Sequence, residues 1–293
     1  MRSEIEMFDL ILNTAKNDDR IRAVYMNGSR ANPNAKKDIF QDYDIVYVVT
    51  ETESFIKDKN WIDVFGKRVI MQLPDESDKI LKGEGSFSRC YGYLMQFMDG
   101  NRIDLHIETP DMALEEIKND KLTIILLDKD NILPVIPEPT DEDYRVKRPT
   151  QKLFNICCNE FWWVILYIAK GLWREEIPYA MDCLNYWVRP QLMKMLSWYA
   201  GIKTNFSCSM GKSGKNLKEH ILDDMWKRYL KTYPYAEISA IWDSVFIMAD
   251  LFEETAVKVS DELNLKYNSE ETSNCYSYLK HISELPKDAK KIY

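Results

Sequence analysis

The chain has 293 residues, 45% of them hydrophobic and 29% charged, a soluble globular composition whose length suggests two domains. Lysine and arginine number 39 against 47 acidic residues, a formal net charge of −8. That sign lacks the overall basic footprint of a nucleic-acid binder and suits a cationic small substrate better.

In chain order, residues 3–15 read as a helix with Ile5, Phe8, Ile11 and Leu12 on one stripe. A short apolar strand over 21–26 runs into Asn27, Gly28, Ser29 and Arg30, and a polar loop follows. Residues 43–50 are β-rich, and further strands are expected at 68–73, 91–98 and 102–108. The last two are joined by Asp99, Gly100 and Asn101, a hairpin signal. A helix over 111–117 and a strand over 122–127 complete a catalytic-domain candidate spanning 1–134. Pro134, Pro137 and Pro139, with acidic residues after them, mark a linker over 135–149. Beyond it, long helices are expected at 153–172, 177–199, 217–230 and 238–263, so residues 150–293 read as a helical bundle. The fold class is α+β, with a mixed sheet and helices followed by that bundle. No apolar run reaches the ~18 residues a membrane span needs. The acidic face of 238–263 (Glu237, Asp243, Asp250, Glu253, Glu254) would be repelled by anionic lipid. The N-terminal stretch lacks a signal-peptide pattern and the six cysteines show no CxxC spacing. A cytoplasmic protein with reduced thiols and no structural zinc is expected.

Asp42 and Asp44 stand two apart at the head of a strand, so their carboxylates project from one face. Asp104 lies on a second strand between Ile103 and Leu105, which point the other way. If those strands are neighbours, the carboxylates crowd one another, which is costly without cations. Oxygen donors of this kind favour Mg²⁺ over zinc. Upstream, Gly28 permits close backbone approach and Ser29 offers a hydroxyl and an N–H to a phosphate. Phosphoryl-type transfer follows as the expected chemistry.

These residues, Gly28-Ser29, Asp42-x-Asp44 and Asp104 between apolar neighbours, resemble the signature of the polymerase-β-like nucleotidyltransferases. Gly28-Ser29-Arg30, the run Phe40 to Ile45 and Phe65-Gly66-Lys67-Arg68 narrow the resemblance to the aminoglycoside 6-adenylyltransferases. Leu127 to Asp130, Cys157 to Trp162, Ala169 to Leu172, Arg189-Pro190 and Ser209 to Lys212 extend it to about residue 265; the stretch around Asn274 to Tyr278 lies outside this resemblance. The resemblance implies transfer of AMP from ATP to the 6-hydroxyl of streptomycin, with release of pyrophosphate and antibiotic resistance as the outcome. It implies Mg²⁺ on Asp42, Asp44 and Asp104, with Asp104 also the general base. Gly28 and Ser29 would hold the nucleotide phosphates, and Arg30 would neutralise the triphosphate.

Ser209 to Lys215 contains Gly-Lys-Ser, but the first glycine a P-loop needs is Phe206 and no apolar strand precedes it. Lys212 remains a candidate contact to the phosphates. Glu160 and Asp182, on consecutive helices, are candidate ligands for the guanidinium groups of the acceptor. Trp162, Trp163, Trp173, Trp187 and Trp198 read as core anchors. His106 shares the face of Asp104 and reads as a partly buried structural residue; His220 and His281 belong to no constellation. Two other functions compete: a nucleotidyltransferase with a nucleic-acid or protein acceptor, and a non-catalytic nucleotide-binding protein. The charge counts against the first and the intact carboxylates against the second. Oligomeric state is not legible.

Overall fold

The computed structural model describes residues 1–83 and 86–293, which divide into two units, Met1–Asp143 and Tyr144–Tyr293. The division falls inside the 135–149 stretch expected as a linker.

In the first unit, Ser3 accepts from the Glu6 amide and Glu6 accepts from the Ser3 amide, a capping box that starts α1 (Glu4–Asn17). The buried stripe of this helix is Met7, Ile11 and Ala15, flanked by Phe8 and Leu12. Ile5, expected in the stripe, is exposed: two residues before the buried Met7, it falls on the opposite side of the helix. β1 (Ile21–Asn27) leads into the short α2 (Gly28–Ala31), and β2 (Tyr43–Val49) follows the polar loop. After α3 (Glu53–Lys57) come β3 (Arg68–Gln72), α4 (Pro74–Lys82), β4 (Cys90–Phe97), β5 (Arg102–Glu108), α5 (Pro110–Asn119) and β6 (Ile124–Asp128). The expected hairpin joins β4 to β5, with Gly100 at φ +90° in its turn.

The strands form one mixed sheet in the order β3-β4-β5-β2-β1-β6. Only the central β2–β5 pair is parallel; the others are antiparallel. One face packs Ile45, Tyr47, Leu105 and Ile107 against α1, Phe55 and Phe65. The other packs Tyr25, Val46 and Val48 against Ala113 and Ile117 of α5. Each of these larger side chains contributes roughly 1.5–3 kcal/mol by leaving water. That two-sided burial makes β2 continuously apolar from Ile45 to Val49. The alternation that aims Val46 and Val48 at α5 aims Asp44, at the strand's open end, to the same face.

The second unit is helical: α6 (Gln151–Trp173), α7 (Ile177–Asp182), a π-helical turn over Cys183–Val188, α8 (Arg189–Lys203), α9 (Asp223–Lys231), α10 (Ile238–Leu263) and α11 (Ser269–Glu284). Phe154, Cys157, Phe161, Ile165, Ile168 and Leu172 form one helical stripe on α6, and the Phe161 ring stacks on Phe252 of α10 at 3.7 Å. The single helix expected over 177–199 is interrupted. Pro190 has no N–H for the Tyr186 carbonyl and crowds it, and the chain widens, with the Arg189 amide bonding Leu184 O five residues back. The helix expected from 217 begins at Asp223; Leu217–Glu219 is a 3₁₀ turn whose Leu217 is buried. Asp223 and Asp224 then favour the helix N-terminus. All six cysteines are free. Among the described residues no helix is long and apolar enough to cross a membrane.

Candidate active site

The parallel pairing of β2 with β5 sets Asp44 directly opposite Asp104, and the β1–β2 pairing sets Asn27 opposite Asp44 on the other side. Asp42 lies two residues before Asp44, just ahead of the strand. Strand registry therefore brings Asp44 and Asp104 together on one sheet face, and Asp42, from the segment entering β2, joins them near Arg102. Burial, and then repulsion from Asp104 and Asp42, pushes the Asp44 carboxyl up to about 6. Asp42 is also raised, by its own burial first, with Arg102 pulling the other way.

The Gly28 turn closes over this pair. Gly28 has φ +75°, and a Cβ placed there would meet Asp44 Oδ2 at 2.0 Å, so only glycine lets the backbone lie against that carboxylate. Ser29 follows, its hydroxyl and carbonyl facing the Gln41 side-chain amide at 3.5 and 3.3 Å. Thr123 Oγ1 donates to Asn27 Oδ1 at 2.9 Å, tying β1's end to the segment before β6.

Arg30 is engaged within the protein. Its guanidinium donates to Asp42 O (3.0 Å) and Gln41 O (2.9 Å), pairs with Glu4 (3.0 Å) and lies 3.8 Å over the Tyr43 ring. With a side chain only 10% exposed, it is placed to clamp the backbone that carries Asp42.

A second arginine, which the sequence reading passed over, faces the carboxylates. Arg102 lies two residues before Asp104 on β5 and grips it with a fork, Nε to Oδ1 at 2.7 Å and Nη2 to Oδ2 at 2.8 Å. Its Nε is 3.7 Å from Asp42 Oδ2. The same two-residue spacing that singles out Asp42 and Asp44 was the signal that could have found it. Among the described residues no three carboxylate, imidazole or thiol side chains are drawn together closely enough to hold a metal ion. The carboxylates are neighbours, but Asp104 is turned onto Arg102. Their chemistry still fits a hard divalent cation, because Asp44 has no ion-pair partner among the described residues and its carboxyl is raised by burial first and then by its neighbours' charge.

His106, next along the same face, has its ring against Gly92, and burial lowers its basicity. Further along, Glu108 accepts from Tyr25 OH at 2.7 Å.

In the helical unit, Lys212 sits exposed in a tightly built loop: Gly211, Ser213 and Gly214 all have positive φ, and the Asn216 amide donates to Met210 O at 3.0 Å. Glu160 is half-buried on α6 and Asp182 is exposed at the end of α7. Trp162 and Trp198 are core residues as expected. Trp163 and Trp187 are not: they are 58% and 57% exposed, because Trp163 falls off the apolar stripe of α6 and Trp187 sits on the widened π turn. Trp163 stands one turn beyond Glu160, and Tyr186, 72% exposed, one turn beyond Asp182.

The sequence profile of the streptomycin adenylyltransferase family matches residues 1–282. An aminoglycoside 6-adenylyltransferase of Campylobacter jejuni is 42% identical over 267 residues, covering 91% of each chain. One from Bacillus subtilis (strain 168) is 41% identical over 269 residues, 91% of this chain and 93% of the relative. A solved structure of an aminoglycoside 6-adenyltransferase from Bacillus subtilis is 35% identical, covers 97% of this chain and 100% of its own, and superposes with a TM-score of 0.48. With the family profile spanning nearly the whole chain and relatives above 40% identity along most of it, this nucleotidyltransferase enzyme belongs to the streptomycin adenylyltransferase family.

Proposed function

We propose that the protein transfers AMP from ATP to a hydroxyl of an aminoglycoside, with streptomycin as acceptor at its 6-position, releases pyrophosphate, and so confers resistance from the cytoplasm. The observation that carries this reading is the opposition of Asp44 and Asp104 across the parallel β2–β5 pair, beneath the Gly28 turn. The charge and the free cysteines are consistent with a cationic acceptor and a reducing compartment.

Asp42, Asp44 and Asp104 would hold Mg²⁺, which when bound offsets charge on the phosphate oxygens and lowers the acceptor hydroxyl's pKa. Gly28 and Ser29 present the backbone turn that receives phosphate, and Lys212 supplies a cation to the outer phosphates. Asp104 takes the acceptor's hydroxyl proton as the oxygen attacks the α-phosphorus. The new bond joins that oxygen to phosphorus, the bond to the β-phosphate oxygen breaks, and pyrophosphate departs with its electron pair. Arg30 acts on the reaction indirectly, by fixing the Asp42 backbone. Glu160 and Asp182 bind the acceptor's guanidinium groups, and Trp163 and Tyr186 offer ring faces one helical turn away.

The test is to mix protein, Mg²⁺ and ATP with streptomycin, tRNA or no acceptor and to measure pyrophosphate. Streptomycin-dependent release is expected, and Asp104→Asn should cut it at least ~10²-fold while leaving binding of an ATP analogue intact. Release only with tRNA, or with no acceptor dependence at all, overturns the reading.

A further inference from the structure

The cation nearest the candidate catalytic carboxylates belongs to the chain itself. Arg102 uses both arms of its fork on Asp104 and reaches Asp42 at 3.7 Å. Its side chain is 41% exposed while Asp104 is only 18% exposed, so the arginine covers the acid from the solvent side. It is the first residue of β5, directly after the hairpin, where a long side chain has room to leave. Arg30, in contrast, is held by two carbonyls, a carboxylate and a ring.

We propose that Arg102 is a resident counter-ion that holds Asp104 in the absence of metal and makes entry of the divalent cation depend on the nucleotide. This rests on the nucleotidyltransferase reading above. With Arg102 in place, Asp42, Asp44 and Asp104 keep two net negative charges, and an incoming dication must approach a guanidinium already seated on one of its ligands. Asp104 is turned onto Arg102, and among the described residues no three-ligand cage is assembled. A nucleotide triphosphate changes the balance. It carries enough negative charge to draw the guanidinium off Asp104 and, with the dication bound to it, to compensate the repulsion. Metal then enters together with ATP, and the base is uncovered only when there is a phosphate to attack. Arg102 is thus a positioning residue, acting through Asp104.

The experiment measures Mn²⁺ binding by electron paramagnetic resonance to the full-length wild type, Arg102→Gln and Arg102→Lys, with and without α,β-methylene-ATP. Wild type should bind Mn²⁺ weakly alone and tightly with the analogue. Removing a unit charge beside a dication should tighten binding of Mn²⁺ alone at least about 10-fold in Arg102→Gln. Arg102→Lys, which keeps the charge, should remain like wild type. Equal Mn²⁺ affinity in wild type and Arg102→Gln, or Arg102→Lys grouping with Arg102→Gln, overturns the proposal and leaves the function standing. Absence of Mn²⁺ binding in every protein even with the analogue overturns the nucleotidyltransferase reading and the proposal with it. A second measurement needs no variant: in wild type, the Arg102 Nε–H signal in nitrogen-15 spectra should disappear or shift on adding Mg²⁺ with the analogue and stay put with Mg²⁺ alone. A signal indifferent to the analogue overturns the proposal on its own.

Discussion

A methyl group at position 28 would lie 2.0 Å from Asp44 Oδ2 on a backbone held at φ +75°. Either the turn or the carboxylate has to move, and neither can do so without leaving the site. Gly28→Ala should therefore cost about 1–3 kcal/mol in stability through the strained backbone conformation. Displacing Asp44 by as little as an ångström should also lower turnover at least ~10²-fold. Thermal melting and steady-state rates measure the two separately, and a variant that melts lower but turns over normally would show that Asp44's position is unimportant. The contrast between the two arginines belongs at this scale as well. Arg30 and Arg102 are both cations beside carboxylates, yet one is spent on the backbone of Asp42 and the other on the side chain of Asp104. Sequence order points to Arg30, which follows the glycine motif; partner atoms separate them. An exposed-looking arginine at the start of a strand carries no mark of the fork it makes.

β5 carries Arg102, Asp104, His106 and Glu108 on one face, so a single strand runs from the solvated carboxylates to a buried one. Glu108 is 5% exposed, accepts from Tyr25 OH, and is raised by burial first. A carboxyl raised in the folded state gives its full stability below the ordinary value of 4.5 and loses it as pH climbs through the higher folded value. Glu108→Gln keeps an acceptor for Tyr25 without the buried charge. The melting temperature of the variant should gain on that of wild type as pH rises from about 4 to about 8. A difference that stays constant across that range would mean Glu108 titrates normally. The element scale is also where the sequence was most and least legible. β1 and β2 were readable because both their faces are covered and their apolar runs are dense, and β4 and β5 because apolar residues alternate along them on either side of a hairpin turn. Asp42, Asp44, Asp104 and Gly28 were readable because strand periodicity and a turn glycine have fixed geometric meanings. α4 was not, since it buries none of its residues and leaves Ile80 and Leu81 exposed, although Pro74 and Gly83 bracket it with start and stop signals. The π turn was hidden because a widened turn has no hydrophobic period of its own, and the exposure of Trp187 was hidden with it.

At the scale of the whole chain, the net charge of −8 acts on the two substrates with opposite signs. A polycationic aminoglycoside is drawn toward the molecule over distances comparable to the Debye length, whereas ATP is not. Added salt shortens that length from about 30 Å at 0.01 M to about 8 Å at 0.15 M. The kcat/KM for streptomycin should therefore fall several-fold between those ionic strengths, and the kcat/KM for ATP should stay level or rise. In Glu160→Ala and Asp182→Ala the KM for streptomycin should rise with ATP affinity unchanged, and the salt dependence should weaken, because the attraction that survives close approach has lost its final partner. Both readouts come from one set of initial-rate measurements. If kcat/KM for both substrates falls in parallel with salt, the effect is general screening of the protein and not steering of a cation. If neither Glu160 nor Asp182 moves the streptomycin KM, the acceptor's guanidinium groups are held elsewhere, and the two acids serve only as the wet edge of their helices.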